Sequence, residues 1–331
     1  MNQSDIPSCR IAVLIPCYNE ENTIGKVVQN FRDALPEAAI YVYNNCSTDG
    51  TVECARNAGA MVREESRPGK GNVVRRMFAD IEADIYVLVD GDDTYHAPST
   101  IPMIQKLWAE QLDMVVGTRL SDYDKNAFRA GHRFGNTLLT GFLGIIFGRE
   151  CTDILSGFRV FSRRFVKSFP AVSKGFETES ELTVHALELR MPIGEVSTLY
   201  KTRPEDSVSK LRTYRDGVRI LMMILMLFKE ERPLIFFTII FGVLSLISVV
   251  LAYPIVMTYL YTGLVPRFPT AILSTGIMTL AFLSLTSGII LDTVTRGRRE
   301  VKRLIYLSVP AAGEGAATAP VAVKMPCSRP V

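Results

Sequence analysis

DIYVLVDGDD, residues Asp84–Asp93, joins an apolar run to a cluster of carboxylates. The apolar part contains β-branched valines and is typical of a buried strand in a parallel sheet. The carboxyl end of such a strand faces the crevice where open α/β sheets bind ligands. Asp90 and Asp92, on either side of Gly91, can offer oxygen ligands to one cation such as Mg²⁺ or Mn²⁺. Taken alone, the pattern also fits an acidic turn that closes a strand, and the rest of the chain decides between the two.

The composition indicates a soluble portion and a membrane portion in one chain. The 331 residues have a positive mean hydropathy, although 21% of them are charged. The net charge of +3 is too small to indicate nucleic-acid binding, so we expect no nucleic-acid partner. The six cysteines show no CxxC spacing and there are three histidines, which argues against a zinc site or a disulfide framework. Reduced thiols in a cytosolic compartment are the expectation.

Strands and helices alternate in the first part of the chain. We predict strands at residues 10–16, 40–43, 61–63, 84–89 and 114–119, with helices that begin near residues 20, 51 and 69. This alternation predicts a parallel, doubly wound α/β sheet. Polar clusters directly follow the first, second and fourth strands, at Tyr18–Glu20, Asn45–Asp49 and Asp90–Asp93. Because the carboxyl ends of parallel strands share one edge, we expect these clusters to form one site.

Four motifs, in this order, resemble those of family 2 glycosyltransferases with the GT-A fold. They are IPCYNE (residues 15–20), NNCSTDGT (44–51), GKG (69–71) and VDGD (89–92). The resemblance extends over about residues 10–210 and implies a Rossmann-like, mostly parallel sheet. It also implies that the first two loops hold the nucleotide and that the DxD aspartates engage a metal and the donor diphosphate. The second loop differs, since Asn44-Asn45 stands where the family usually has paired aspartates; asparagine donates as well as accepts hydrogen bonds.

Later motifs narrow the resemblance to polyprenyl-phosphate glycosyltransferases, the group of dolichyl-phosphate mannose synthase. The motifs are VVGTR (115–119), HRFGN (132–136), TDILSGFR (152–159), GFETESEL (175–182) and YKTR (200–203). The resemblance implies an inverting transfer and places Asp153 close to the active site, where it acts as an orienting group or as a base. The several arginines near an acidic site also suit a diphosphate and a second phosphate.

These motifs give a set of predicted site residues. Predicted contacts to the nucleotide sugar are Pro16, Tyr18, Asn19, Glu20, Asn45, Asp49, Lys70, Asp90, Gly91, Asp92 and Arg119. Predicted catalytic residues are Asp90, Asp92 and Asp153, and the first two are the predicted ligands of Mg²⁺ or Mn²⁺. Predicted contacts to the acceptor phosphate are Arg129, Arg133, Arg203 and Lys210. Any one of these cations also fits a solvated surface or a lipid headgroup.

The last third of the chain has the features of a membrane anchor. Basic and apolar residues mix in 205–232, which predicts amphipathic helices on a membrane surface, or else helices packed on the catalytic domain. Leu234–Leu260 and Ala271–Leu291 carry no charge and are long enough to cross a bilayer core of about 30 Å. Basic residues at 229–232 and 296–303 flank the pair, so we predict that both ends and the catalytic domain are cytoplasmic.

The sequence therefore predicts four segments and one main function. The segments are a GT-A domain (1–204), an amphipathic juxtamembrane segment (205–232), a two-helix transmembrane hairpin (233–292), and a basic segment with a disordered tail (293–331). The predicted function is transfer of a sugar from a nucleoside-diphosphate sugar to a polyprenyl phosphate in the membrane. A processive polysaccharide synthase and an inactive scaffold are the alternatives; the first would carry a QxxRW motif, and intact Asp90 and Asp92 argue against the second. A homo-oligomer remains open.

Overall fold

The computed structural model describes residues 9–120, 152–170, 178–200, 222 and 225–311. The chain divides into two units. The first unit consists of Met1–Leu211 and Lys302–Val331, and the second of Arg212–Val301.

Strands and helices alternate through the first unit. The strands are β1 (Ile11–Cys17), β2 (Ala39–Asn44), β3 (Met61–Glu64), β4 (Ile85–Leu88), β5 (Met114–Leu120), β6 (Arg159–Ser162) and β7 (Ile193–Leu199). The helices are α1 (Glu21–Ala34), α2 (Thr51–Asn57), α3 (Lys70–Asp80), α4 (Thr100–Ala109), α5 (Arg163–Ser168) and α6 (Thr178–Leu189). The five predicted strands correspond to β1–β5, and the three predicted helices correspond to α1–α3.

The strands form one sheet in the order β3-β2-β1-β4-β6-β5-β7. The strand order reverses between β1 and β4, because β2 and β3 lie on one side of β1 and the later strands lie on the other. Every residue of β1 and β4 is buried, as expected for strands covered on both faces. The reversal creates the crevice in which sheets of this kind bind ligands, and both Tyr18–Glu20 and Asp90–Asp93 follow the strands that border it.

β6 is the exception to a mostly parallel sheet. It pairs antiparallel with β4 and with β5, so that Val160 lies opposite both Val87 and Val115. An antiparallel strand begins at the edge where its parallel neighbours end. The residues that precede β6, from Asp153 to Phe158, therefore lie at the same sheet edge as the residues that follow β4. The predicted mostly parallel α/β sheet is confirmed, and the direction of β6 is an addition to it.

The second unit contains two long helices, α7 (Pro233–Thr262) and α8 (Phe268–Ser308), the last residues of which belong to the first unit. The buried residues of α8 are small and lie seven positions apart, at Ser274, Ala281, Gly288 and Thr295. This spacing places them on one helix face, where they allow a close approach of α7. Hydrogen bonds link the pair: Ser248 Oγ donates to the carbonyl of Ser274 over 2.8 Å, and Ser284 Oγ donates to the carbonyl of Phe237 over 3.3 Å.

Both helices are long and apolar enough to cross a membrane. Most of their apolar side chains are exposed, which is unlike the buried core helix of a soluble protein. They contain the two predicted spans, and α8 continues through the basic residues 296–303 as a helix. Residues 225–231 are helical. The remainder of the predicted amphipathic segment up to residue 221, and the predicted disordered tail from residue 312, lie outside the described residues.

Candidate active site

The Asp90–Asp92 turn approaches the first loop so closely that only glycine fits at its centre. A Cβ at Gly91 would lie 2.2 Å from Glu20 Oε2 and 2.7 Å from Cys17 Sγ. The turn is also held from α1, because Thr23 Oγ1 donates to the Gly91 carbonyl over 2.7 Å. Any side chain at residue 91 would therefore require the Glu20 and Cys17 side chains to move.

Glu20 has the most perturbed carboxyl group of this region. Its Oε2 atom is buried and has no hydrogen-bond partner. Burial, followed by the negative charges of Asp92 and Asp90, raises the pKa of Glu20 to about 8. Glu20 is therefore largely protonated at neutral pH while no cation is bound. Burial and the two neighbouring carboxylates therefore both disfavour the ionised form of Glu20.

The four acids of the two loops have different environments. Asp92 is buried, and its Oδ1 accepts from the hydroxyl of Thr94 over 2.6 Å. Asp93 turns towards α1, where Lys26 Nζ lies 2.5 Å from its carboxylate. Asp93 is thus compensated by α1, whereas Asp90 and Asp92 lie on either side of the Gly91 turn beside Glu20.

The second loop uses its polar side chains to hold backbone groups. The Asn45 amide donates to the carbonyls of Glu65 and Arg67, and its oxygen accepts from the backbone of Gly69 at 2.7 Å. An ionised aspartate cannot donate, so it could not make the first two bonds. The asparagine that distinguishes this loop from the family pattern therefore holds the 65–69 segment in place.

Asp49 and Asn19 join the first loop to the second. Asp49 Oδ1 accepts from the Thr51 hydroxyl and Oδ2 accepts from the backbone of Glu21. Burial acts against it, but these hydrogen bonds lower the pKa of Asp49. Asn19 Oδ1 accepts from the backbone of Thr48 over 2.9 Å. Both residues therefore fix the relative position of the two loops, while Tyr18, 46% exposed, faces outward beside them.

Lys70, the first residue of α3, lies between two carboxylates. Its Nζ is 2.5 Å from Asp90 Oδ1 and 2.5 Å from Glu179 Oε1. Burial acts to lower the pKa of Lys70, but the two negative charges outweigh it and raise the pKa well above its usual range. Glu179, which lies in the first turn of α6, was not among the predicted site residues.

Arg119 and Asp153 form a two-pronged ion pair. Arg119 Nε donates to Asp153 Oδ2 over 2.8 Å, and Nη2 donates to Oδ1 over 2.7 Å. Asp153 raises the pKa of Arg119 far above its usual range, although burial opposes this. The guanidinium also lies over the ring of Tyr200, with 5.7 Å from its carbon to the ring centroid. Each side chain thus fixes the other.

Gly157 brings the 153–158 segment against Asp90, and a tyrosine and a buried arginine hold that segment in place. Gly157 donates its backbone N–H to Tyr95 Oη over 3.0 Å, and a Cβ at Gly157 would lie 2.4 Å from Asp90 Oδ2. Arg159 is fully buried and donates to the carbonyls of Ile154 and Ser156, which shapes the segment from within. Tyr95 and Arg159 were missed; the signal for Arg159 was an arginine inside the apolar GFRVF run.

The structure therefore places most of the residues that were predicted to contact the nucleotide sugar at the carboxyl edge of the sheet. Pro16 lies in β1 and pairs with Tyr43 of β2 at the end of the strand. The four predicted acceptor-phosphate cations, Arg129, Arg133, Arg203 and Lys210, lie outside the described residues.

The donor set at the turn suits a divalent cation that is shared with a substrate. Among the described residues, no group of three or more His, Cys, Asp and Glu side chains could hold a metal ion. Mg²⁺ in phosphate-transfer sites usually takes one or two carboxylates and completes its shell with water and substrate phosphates. Asp90 and Asp92 match that requirement. Glu20 Oε2, which is buried without a hydrogen-bond partner, and the raised pKa of this residue also fit a site that accepts a positive charge.

Comparison with known proteins agrees with this geometry. The model of "Glycosyl transferase family 2" matches residues 12–169. The glycosyltransferase AglJ of Haloferax volcanii is 36% identical over 69% of this chain and 75% of its own length. The chain belongs to glycosyl transferase family 2.

The names of two further relatives include a lipid phosphate. They are the dolichyl-phosphate hexose transferase of Haloferax volcanii (27% identical; 67% of this chain, 95% of the relative) and the undecaprenyl-phosphate mannosyltransferase of Micrococcus luteus (25%; 59% and 84%).

Solved structures support the GT-A-like fold of this family 2 glycosyltransferase. Glucosyl-3-phosphoglycerate synthase of Mycobacterium tuberculosis superposes with a TM-score of 0.53 at 22% identity, over 66% of this chain and 81% of that one. The same enzyme solved with Mn²⁺, UDP and its product gives a TM-score of 0.51 at 24% identity, over 66% and 80%. At this identity the likeness concerns the fold alone. The predicted fold class and the predicted enzyme class are confirmed.

Proposed function

We propose that this glycosyltransferase transfers a sugar from a nucleoside-diphosphate sugar to a polyprenyl phosphate at the cytoplasmic face of a membrane. The observation that carries the proposal is the presence, in one chain, of a family 2 glycosyltransferase domain and of two helices with exposed apolar side chains. The relatives that are named for dolichyl or undecaprenyl phosphate support the choice of acceptor.

The donor half of the site binds and orients the diphosphate. Asp90 and Asp92 would hold Mg²⁺ or Mn²⁺, which supplies positive charge against the negative charge that develops on the departing diphosphate. Lys70 adds an ammonium beside Asp90. The loops fixed by Asn45 and Asp49 hold the nucleotide, with the exposed ring of Tyr18 beside them.

The acceptor half needs little base catalysis. A phosphate monoester has its second pKa near 6 and is largely ionised at neutral pH, so its oxygen can attack without losing a proton to the enzyme. Asp153 accepts hydrogen bonds from Arg119 at both oxygens, which suits an orienting role for this carboxylate better than proton abstraction. Arg129, Arg133, Arg203 and Lys210 are the proposed contacts to the acceptor phosphate. Attack on the face opposite the leaving group inverts the anomeric centre.

The acceptor is the point at which the proposal is tested. Purified enzyme is incubated with a panel of radiolabelled nucleotide sugars and either polyprenyl phosphate or the same polyprenol without its phosphate. We expect one sugar to appear on the lipid phosphate and none on the free alcohol. Equal transfer to the alcohol, or a lengthening oligosaccharide in detergent, would show that the phosphate-acceptor mechanism is wrong and would favour the polysaccharide-synthase alternative.

The sidedness of the membrane helices has a separate test. Single cysteines are placed at Gly263, in the connection between α7 and α8, and at Glu300, in the basic part of α8, after the six native cysteines have been replaced. A membrane-impermeant thiol reagent added to intact cells should label position 263 and leave position 300 unlabelled, because basic flanks stay in the cytoplasm. The reverse pattern would contradict the cytoplasmic assignment.

A further inference from the structure

One ammonium group is shared by two carboxylates that come from distant parts of the sequence. Lys70 Nζ lies 2.5 Å from an oxygen of Asp90 and 2.5 Å from an oxygen of Glu179. The side chains of Lys70 and Glu179 are 13% and 10% exposed, so water screens these contacts weakly. Among the described residues, Lys70 is the cation within ion-pair distance of Asp90 and of Glu179.

This arrangement conflicts with the cation site at Asp90 and Asp92 unless Lys70 has a second partner. A divalent cation at Asp90 and the Lys70 ammonium would compete for one carboxylate and repel each other. A buried ammonium that lost its only carboxylate would be strongly destabilised. Glu179 removes the conflict because it keeps the charge of Lys70 paired while the contact to Asp90 lengthens.

We propose that Glu179 is a positioning residue that takes over the Lys70 ammonium when a divalent cation binds Asp90. The inference rests on the cation role in the proposed function. Once Lys70 is held by Glu179 alone, its remaining N–H groups are free to donate to the phosphates of the donor. Lys70 thus pairs with Asp90 in the absence of the cation and donates to the diphosphate when the cation and the donor are bound.

The position of Glu179 fits a fixed anchor. It lies in the first turn of α6, where the amino end of a helix favours a negative charge. Its carbonyl accepts from Thr183 Oγ1 over 3.1 Å, within the same helix. At the other end of α6, Glu188 contacts Lys302 Nζ at 2.6 Å. These contacts fix the helix backbone that carries Glu179.

The test measures Mn²⁺ binding directly, without any turnover. Purified full-length enzyme is titrated with Mn²⁺ alone, and the free ion is followed by its EPR signal. In Glu179→Gln, Lys70 has only Asp90 as a charged partner, so we expect the Kd for Mn²⁺ to rise roughly tenfold or more. In Lys70→Met, the competing ammonium is gone, so the Kd should fall. Glu110→Gln, which removes a carboxylate that is 56% exposed, controls for net charge.

The double variant separates an indirect role from a direct one. Because Glu179 acts through Lys70, Glu179→Gln should weaken Mn²⁺ binding more in the wild-type background than in Lys70→Met, where only the attraction of its charge for the nearby cation is lost. An equal loss of Mn²⁺ affinity in both backgrounds would mean that Glu179 acts on the cation or the fold directly, and the inference would be wrong. If Glu179→Gln alone fails to fold, Lys70→Met still decides, since a weaker Mn²⁺ affinity in that variant contradicts competition.

The failures of the two proposals differ. If the wild type removes no Mn²⁺ from solution, the cation role in the proposed function is wrong and the inference is overturned with it. If the wild type binds Mn²⁺ and Glu179→Gln binds it as well as Glu110→Gln does, only the role of Glu179 is wrong.

Discussion

The two edges of the sheet both carry charged residues, but they balance them differently. At the amino edge, three acids of the described residues have basic partners: Arg10 lies 3.0 Å from Asp84, Lys167 lies 2.6 Å from Glu82, and Arg164 lies 2.5 Å from Asp113. At the carboxyl edge, Glu20 lies against the turn formed by Asp90, Gly91 and Asp92. One oxygen of Glu20 has no hydrogen-bond partner.

Two glutamates show the consequence of this difference. At the amino edge, the hydrogen bond from Lys167 lowers the pKa of Glu82. At the carboxyl edge, burial and the neighbouring aspartates raise the pKa of Glu20 to about 8. The number of charges is thus a poor guide to a binding site. A buried carboxyl group with a raised pKa is a better guide, because strongly perturbed pKa values concentrate at functional sites.

The largest effect is expected when Asp92 at the carboxyl edge is replaced by asparagine. The same replacement of Asp84 at the amino edge is the matched control. Asp92→Asn should lower turnover by about 100- to 1,000-fold. The reason is that the proposed divalent cation, which offsets the charge of the departing diphosphate, loses one of its two carboxylates. Asp84→Asn should leave turnover per folded molecule unchanged, because Asp84 pairs with Arg10 on the other side of the sheet. Both are measured as initial rates of transfer. Full activity of Asp92→Asn, or of the wild type in excess chelator, would remove the proposed cation role.

A moderate effect on stability, and none on catalysis, is expected at Asp113. Its carboxylate is fully buried and accepts from Arg164, from the Ser162 hydroxyl at 2.7 Å and from the Tyr306 hydroxyl at 2.8 Å. Asp113→Asn should lower the free energy of unfolding by about 1–3 kcal/mol, because Arg164 loses a charged acceptor. Thermal melting of the detergent-purified enzyme measures this. Asp33→Asn, a change at an exposed acid on α1, is the matched control. A parallel loss of turnover per folded molecule would show that the edges are coupled.

The smallest effect is expected at Glu82, whose side chain is 52% exposed. An exposed ion pair contributes about 0–1 kcal/mol, so Glu82→Gln should reduce the melting temperature only slightly at neutral pH. Because the pKa of Glu82 is lowered in the folded state, its contribution is present above the unfolded pKa and is lost as the pH falls through the folded pKa. The difference between variant and wild type should therefore vanish in strong acid and in high salt. A difference that grows on acidification would contradict the assigned direction.

Local patterns predicted β1–β5 and α1–α3, but they did not predict β6, β7 or α4–α6. The strands β1–β5 follow from apolar runs between turn residues. By contrast, the direction of β6 is fixed by long-range antiparallel pairing with β4 and β5, which leaves no periodic signal in the sequence. The alternative roles of Asp153 stayed open for the same reason, since its partner Arg119 lies far away in the sequence.

The site was predictable where a motif carries the chemistry. The DxD turn and Lys70 were found, whereas Glu179 was not singled out. Three glutamates alternate at residues 177, 179 and 181, and the sequence alone does not reveal which of them meets Lys70. Asn45 was predicted to contact the nucleotide, and the structure uses its amide to hold the neighbouring loop. The binding and catalytic roles of all the predicted site residues, the four acceptor cations included, remain predictions.

The antiparallel β6 also brings together the two ends of the connection that includes residues 121–151. β5 ends and β6 is approached at the same sheet edge, and the two strands are neighbours, so the connection that includes residues 121–151 leaves and returns at nearly the same place. Doubling the length of such a connection adds only about 0.6 kcal/mol of closure entropy. The strand pairing therefore places both ends of this connection side by side, and Arg129 and Arg133, the proposed contacts to the acceptor phosphate, lie between those ends in the sequence. Under the proposed function, this connection would let contacts to the acceptor change while the strands that lead into the Asp90–Asp92 turn stay the same.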